Sequence, residues 1–204
     1  MKIICIGRNY AAHALELGND LPQKPLIFMK PASAITVNAR PFYYPDFSNN
    51  IHFECEVVLK ICENGKSIAP KFASNYYQEV TLGIDFTARD LQDELKALGQ
   101  PWELAKAFDG SAALGKFIPK AEAFNTQNHI EFEFTKNEQL VQKGNTQSLI
   151  FSFDTLIAYT SKFFKLNKGD LIFTGTPEGV GPIAIGDHYE GFINGQRLLE
   201  IDIK

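Results

Sequence analysis

The chain has 204 residues, 45% of them hydrophobic and 22% charged, with a net charge of −4. These are the proportions of a globular protein able to bury one sizeable core. Scattered rather than blocked Lys and Arg argue against nucleic acid as a partner, and no apolar run approaches the length of a membrane span. A small anionic substrate stays compatible with the acidic balance, because a local pocket can be basic.

Residues 2–6 read as a first strand, Gly7-Arg8-Asn9 as a turn, and 9–17 as a short helix ended by Gly18-Asn19-Asp20. His13 and Glu16, three apart, would share a face of that helix. A carboxylate beside an imidazole orients it and raises its basicity, a minimal device for activating water. Taken alone, the pair favours the plainer reading of an ordinary polar helix face. Pro22 and Pro25 bracket a loop before a strand at Leu26–Met29, and 31–50 looks irregular.

From Ile51 to Leu59 the chain alternates. Ile51, Phe53, Cys55, Val57 and Leu59 would point one way from a strand over 51–61. His52, Glu54, Glu56 and Val58 would point the other. Two carboxylates on one face can share a hard cation if a third ligand arrives; a half-buried strand with an acidic solvent face is the other reading. Val80–Phe86 predicts a further strand. Its Asp85 is the candidate third carboxylate, or else caps its own turn. Three converging carboxylates repel one another unless a cation joins them, and all-oxygen ligation suits Mg²⁺ or Mn²⁺.

Thr87, with Asp90 three residues on, predicts a capped helix start. That helix runs to about Leu98 and stops at Gly99, with Leu91, Leu95 and Leu98 inward and Asp93, Glu94 and Lys96 solvated. Lys106 sits among small and apolar neighbours, where a lysine either snorkels to solvent or meets an anion. Residues 129–134 and 138–142 predict a hairpin, and 152–164 a helix capped by Ser152 and buried through Phe153, Leu156, Ile157 and Phe164. Strands at 170–173, 188–193 and 197–203 complete the pattern. Between them, the Gly- and Pro-dense run Thr174–Pro182 is either an ordinary turn or a loop whose N–H groups approach a ligand. Strands outnumber helices without regular alternation, which predicts an α+β, mostly β fold with mixed sheet. No internal repeat or linker divides 1–204, so one domain is expected. Cys5, Cys55 and Cys62 have no metal-type spacing, and no signal peptide precedes Ile3, so a cytoplasmic setting is expected.

The segments GRNYAAHALE at 7–16, FECE at 53–56, GIDFTARDLQDE at 83–94, PWELAKAFDGSAALG at 101–115 and TGTPEGVGP at 174–182 together resemble the fumarylacetoacetate hydrolase family. They match its short branch of acylpyruvases and oxaloacetate decarboxylases, in the family's order. The resemblance implies a rolled mixed β-sheet with a few short helices, in a homodimer. It implies Mg²⁺ or Mn²⁺ on Glu54, Glu56 and Asp85, and His13 and Glu16 on a lid segment. It also implies Lys106 as a substrate-side cation, with Arg89, Gln92 and Thr176 as substrate-pocket groups. The expected activity is metal-dependent carbon–carbon hydrolysis of acylpyruvate-type 2,4-dioxo acids, with oxaloacetate decarboxylation beside it. A small 2-oxo acid is then the substrate. Two rivals are a 2-hydroxy-dienoate hydratase or oxo-enoic diacid isomerase, and a non-catalytic β domain holding a structural Ca²⁺.

Overall fold

The structure, a computed structural model, describes residues 1–16, 18, 20–37 and 40–204. The strands are β1 (Ile3–Gly7), β2 (Leu26–Lys30), β3 (Ile35–Val37), β4 (Ile51–Phe53), β5 (Cys55–Ile61), β6 (Tyr77–Asp85), β7 (Thr87–Ala88) and β8 (Ala112–Leu114). They continue with β9 (Ile118–Pro119), β10 (Glu131–Lys136), β11 (Gln139–Asn145), β12 (Leu171–Phe173), β13 (Gly181–Pro182), β14 (His188–Ile193) and β15 (Gln196–Asp202). The helices are α1 (Ala11–Glu16), α2 (Pro70–Ala73), α3 (Arg89–Ala97), α4 (Glu103–Lys106), α5 (Lys120–Ala123) and α6 (Phe153–Phe163).

The main sheet runs β2-β1-β12-β5-β6-β8-β3, with β9 on β6. β1–β12 and β3–β8 are parallel, and the other pairs in it are antiparallel. A second sheet, β11-β10-β14-β15, is antiparallel throughout, and β13-β4-β7 form a third. Mostly β, mixed and with few short helices, this is the class the pattern predicts. The predicted hairpin forms as β10–β11, turned by Asn137 and Glu138 at φ 50° and 67°. Two left-handed residues give the turn whose twist matches the strands.

The core lies between the main and second sheets. Phe53, Phe134 and Tyr189 meet there with ring centroids 5.2–5.5 Å apart, and Phe42 stacks on Phe86 at 4.1 Å. α6 adds Phe153, Leu156 and Ile157 to the same cluster. Full burial of such a side chain contributes about 1.5–3 kcal/mol. Ser152 caps α6 as expected, accepting from the Thr155 N–H. Phe164 is only half-buried, because the helix ends at Phe163 and the chain turns extended. Among the described residues no helix is long and apolar enough to cross a membrane.

Several expectations are corrected. The run 51–61 is two strands in two sheets, broken at Glu54, and both of its faces are covered: Glu54, Glu56 and Val58 are all buried. That removes the acidic solvent face. Thr87 does not cap α3; it lies in β7, and Ala88 precedes the helix without a side-chain cap. Thr87 Oγ1 is drawn instead to Lys106. Asp90 accepts from Ser48 Oγ and Asn49 N–H, at 2.6 and 2.9 Å. Leu98 is exposed, since the helix has ended at Ala97. The first helix spans Ala11–Glu16; Leu17 and Asn19, in its predicted end, lie outside the described residues. The irregular stretch 31–50 contributes β3.

Candidate metal and substrate site

The β5–β6 register pairs Cys55 with Ile84 and Glu56 with Gly83. Antiparallel continuation sets Asp85 beside Glu54, and the Asp85 N–H donates to Glu54 O at 2.9 Å. Each of Glu54, Glu56 and Asp85 thereby offers a carboxylate oxygen within 4.8 Å of the others, all three being buried.

Three buried cations answer these charges unevenly. Lys106 Nζ donates to Glu54 Oε2 at 2.9 Å, Asp85 Oδ2 at 2.8 Å and Thr87 Oγ1 at 2.5 Å. Lysine 106 therefore does not snorkel; it meets the protein's own anions. Arg89 Nη2 donates to Glu54 Oε1, and its Nη1 to Gln92 Oε1, both at 2.6 Å. Lys30 Nζ lies 2.7 Å from Asp85 Oδ1, while its hydrogen bonds go to Ser111 Oγ and the Lys106 and Phe86 carbonyls. Burial works against the charge on Glu54, but Lys106 and Arg89 overcome it and hold the carboxyl well below its usual range. Glu56 is the reverse: burial first, then Asp85, push it well above. Among the described residues its one hydrogen-bond donor is the Gly175 N–H, at 2.6 Å.

Gly175 begins the glycine-rich loop and is fixed by sterics. Its φ is +104°, and a Cβ there would lie 2.7 Å from Asn9 Cβ. The loop's N–H groups do approach acceptors closely, and these are the protein's own carboxylates: Gly175 serves Glu56, and Gly179 donates to Glu16 Oε1 at 3.0 Å. Glu16 Oε2 faces His13 Nδ1 at 3.3 Å. His13 is buried and Glu16 partly exposed. Asn9 anchors the start of α1, donating to Phe151 O and Thr174 O and accepting from Phe151 N–H. Thr176 Oγ1 accepts from Gln142 Nε2 at 2.8 Å, and Gln142 Oε1 takes the Cys55 N–H at 3.0 Å. Gln142 thus ties the loop to the acidic strand.

His13, Glu54, Glu56, Asp85, Arg89, Gln92, Lys106 and Thr176 line one cleft, with Glu16 against His13 at its edge. All nine residues singled out in the sequence are thus brought together. Lys30, Gln142 and Lys96 were not foreseen. Lys30 follows an apolar strand, and a buried lysine there needs an anion; that was the one available signal.

The residues fit a divalent ion. The cluster is all-oxygen, and among the described residues Glu56 forms no ion pair, its carboxylate meeting only the Gly175 N–H. A hard ion of the Mg²⁺ or Mn²⁺ type would relieve the repulsion that its neighbours leave.

The profile of the family described as fumarylacetoacetate (FAA) hydrolase C-terminal matches residues 2–204. The chain is 42% identical over 189 residues to a mitochondrial oxaloacetate tautomerase of Caenorhabditis elegans, covering 93% of this chain and 88% of that one. Among solved structures it is similar to fumarylpyruvate hydrolase from Pseudomonas aeruginosa in complex with Mn²⁺ and pyruvate. The TM-score is 0.92 at 36% identity, covering 100% of this chain and 89% of the other. It is also similar to 5-carboxymethyl-2-hydroxymuconate delta-isomerase from Mycobacterium smegmatis. There the TM-score is 0.85 at 34% identity, covering 99% and 78%.

Proposed function

This chain belongs to the fumarylacetoacetate hydrolase family, and we propose that it is a divalent-metal-dependent enzyme of enol chemistry on 2-oxo acids carrying a second carbonyl or carboxyl group. The leading reaction is keto–enol tautomerisation of an oxaloacetate-type diacid. The observation that carries this reading is the convergence of three carboxylates with Lys106 and the His13–Glu16 pair in one cleft.

Glu54, Glu56 and Asp85 would hold Mg²⁺ or Mn²⁺. The ion, when bound, polarises the 2-oxo group and favours enol over ketone. His13 takes a proton from C3 and, as the imidazolium, gives it to the 2-oxo oxygen, and the reverse transfer regenerates the ketone, so no atoms are gained or lost. Glu16, restrained by Gly179, orients the imidazole. The Lys106 ammonium, whose three N–H groups are taken by Glu54, Asp85 and Thr87, stabilises the oxygen on which negative charge develops through its charge.

Hydrolysis of acylpyruvates, the first expectation from the sequence, is the second reading. The His13–Glu16 pair favours it, since the same base can deprotonate a water that attacks the distal carbonyl. The similarity to fumarylpyruvate hydrolase also supports it.

The test follows enol decay of oxaloacetate and pyruvate release from oxaloacetate, acetylpyruvate and fumarylpyruvate, with and without Mg²⁺ or Mn²⁺. Metal-dependent enol decay without pyruvate is expected. Pyruvate from the acylpyruvates alone would move the assignment to hydrolase. No metal-dependent turnover of any of them would refute both readings.

A further inference from the structure

Two cations on the wall of the cleft are left over from the charge balance just described. Arg8 and Lys96 line it beside His13, Gln92 and Trp102. Lys30, Lys106 and Arg89 are each engaged by a carboxylate of the cluster. Among the described residues, neither Arg8 nor Lys96 has an ion-pair or side-chain hydrogen-bond partner. Lys96 Nζ lies 5.8 Å from the centroid of the Trp102 ring, which lines the same cleft.

Both are placed at a cost. Lys96 is half-buried; burial, then repulsion from Arg89, Arg8 and Lys106, pull its pKa down, with Asp93 opposing. Arg8 adopts φ +59°, a left-handed conformation unusual for a residue with a side chain. It is held there between β1 and the clamp that Asn9 makes to Phe151 and Thr174. A half-buried lysine and an arginine in the left-handed region line the same cleft without an ion-pair partner among the described residues, an arrangement for an anion that arrives from outside.

We propose that Arg8 and Lys96 form a subsite for a second carboxylate, so that the cleft selects dicarboxylic over monocarboxylic 2-oxo acids. The proposal rests on the reading that the 2-oxo acid head binds at the carboxylate cluster. Arginine supplies a planar fork for a carboxylate and lysine a point charge against it. Specificity for the tail is thereby separate from the chemistry at the head, and neither residue takes part in proton transfer.

The test is calorimetric and needs no turnover. Mg²⁺-loaded protein is titrated with 2-oxoglutarate and 2-oxopentanoate, which share length and head and differ only in the distal carboxylate. A pair one carbon longer, 2-oxoadipate and 2-oxohexanoate, covers a deeper tail. Wild type is expected to bind at least one diacid about tenfold or more tighter than its partner. Arg8→Gln and Lys96→Met each remove most of that preference while leaving the monoacid within about twofold. Lys96→Arg retains it, and unchanged melting temperatures show the variants folded. Equal weakening of diacid and monoacid, or no preference in wild type at either length, overturns the subsite. If Mg²⁺ binds but none of the four acids does, the head-group reading fails, and the subsite with it. Monoacid binding without a diacid preference overturns the subsite alone.

Discussion

Replacing Glu56 with Gln should stabilise the metal-free protein and abolish its response to metal. Glu56 is 2% exposed, and its carboxylate shares a cluster 4.8 Å across with those of Glu54 and Asp85. Two unit charges at that separation repel by about 3 kcal/mol at an effective dielectric of about 20. Lys106 offsets part of this, which leaves a net cost of about 1–3 kcal/mol. At neutral pH the carboxyl is either ionised against that repulsion or protonated against its preference in water; both cost folding free energy. Gln keeps the shape and the acceptor that the Gly175 N–H uses. For a domain of this size 1 kcal/mol moves the melting temperature by about 2–4 °C, so a rise of about 2–12 °C is expected in EDTA. Wild type should gain about 2.7 kcal/mol from Mg²⁺ at a hundredfold its Kd, and the variant none. The assay is thermal unfolding of both proteins with EDTA and with Mg²⁺. A metal-free variant that melts below wild type, or one that keeps the Mg²⁺ shift, would refute the reasoning.

Lys30→Met removes a wholly buried cation from Asp85 and should cost about 3–5 kcal/mol in urea unfolding; a loss below about 1 kcal/mol would mean the pair is not an ion pair in solution. Glu16→Gln should lower metal-dependent enol decay of oxaloacetate about a hundredfold, with an unchanged melting temperature, because Glu16 orients the His13 imidazole. A loss below about threefold would contradict that orienting role. Asp170→Asn probes pH. Burial opposes the charge on Asp170, but the Lys2 side chain and the Asn167 and Lys2 N–H groups hold its carboxyl below the usual range. A depressed folded pKa stabilises above the unfolded value near 3.9 and is lost as pH falls through the folded one. The variant should therefore lie about 1–3 kcal/mol below wild type at pH 7, with the gap closing below about pH 4. A gap independent of pH would contradict this.

The carboxylate cluster was legible because Glu54 and Glu56 sit in a strict alternation and Asp85 stands alone in an apolar strand. Its setting was not. Alternation cannot tell one strand from two that part at Glu54 into different sheets, nor a solvent face from one covered by a glycine-rich loop from 119 residues away. Thr87 carries a sound capping pattern that tertiary contact overrides, because Lys106 needs its hydroxyl oxygen. Lys30 gives no local hint that its partner is Asp85, on β6, with three strands of the sheet between them. Helical periodicity assigned Lys96 to solvent, but α4 brings Trp102 over it. Short elements such as β3, β8, α2 and α5 span too few residues to show a period.

The claim on which the rest depends is that Glu54, Glu56 and Asp85 hold a divalent ion the chemistry requires. Metal-stripped protein titrated with Mn²⁺, with enol decay of oxaloacetate followed at each addition, tests it most directly. Turnover should be negligible without metal and saturate near one ion per chain, with no recovery in Glu54→Ala at the Mn²⁺ concentration that saturates wild type. Full activity in the stripped wild type, or restoration of Glu54→Ala at that same concentration, would contradict it.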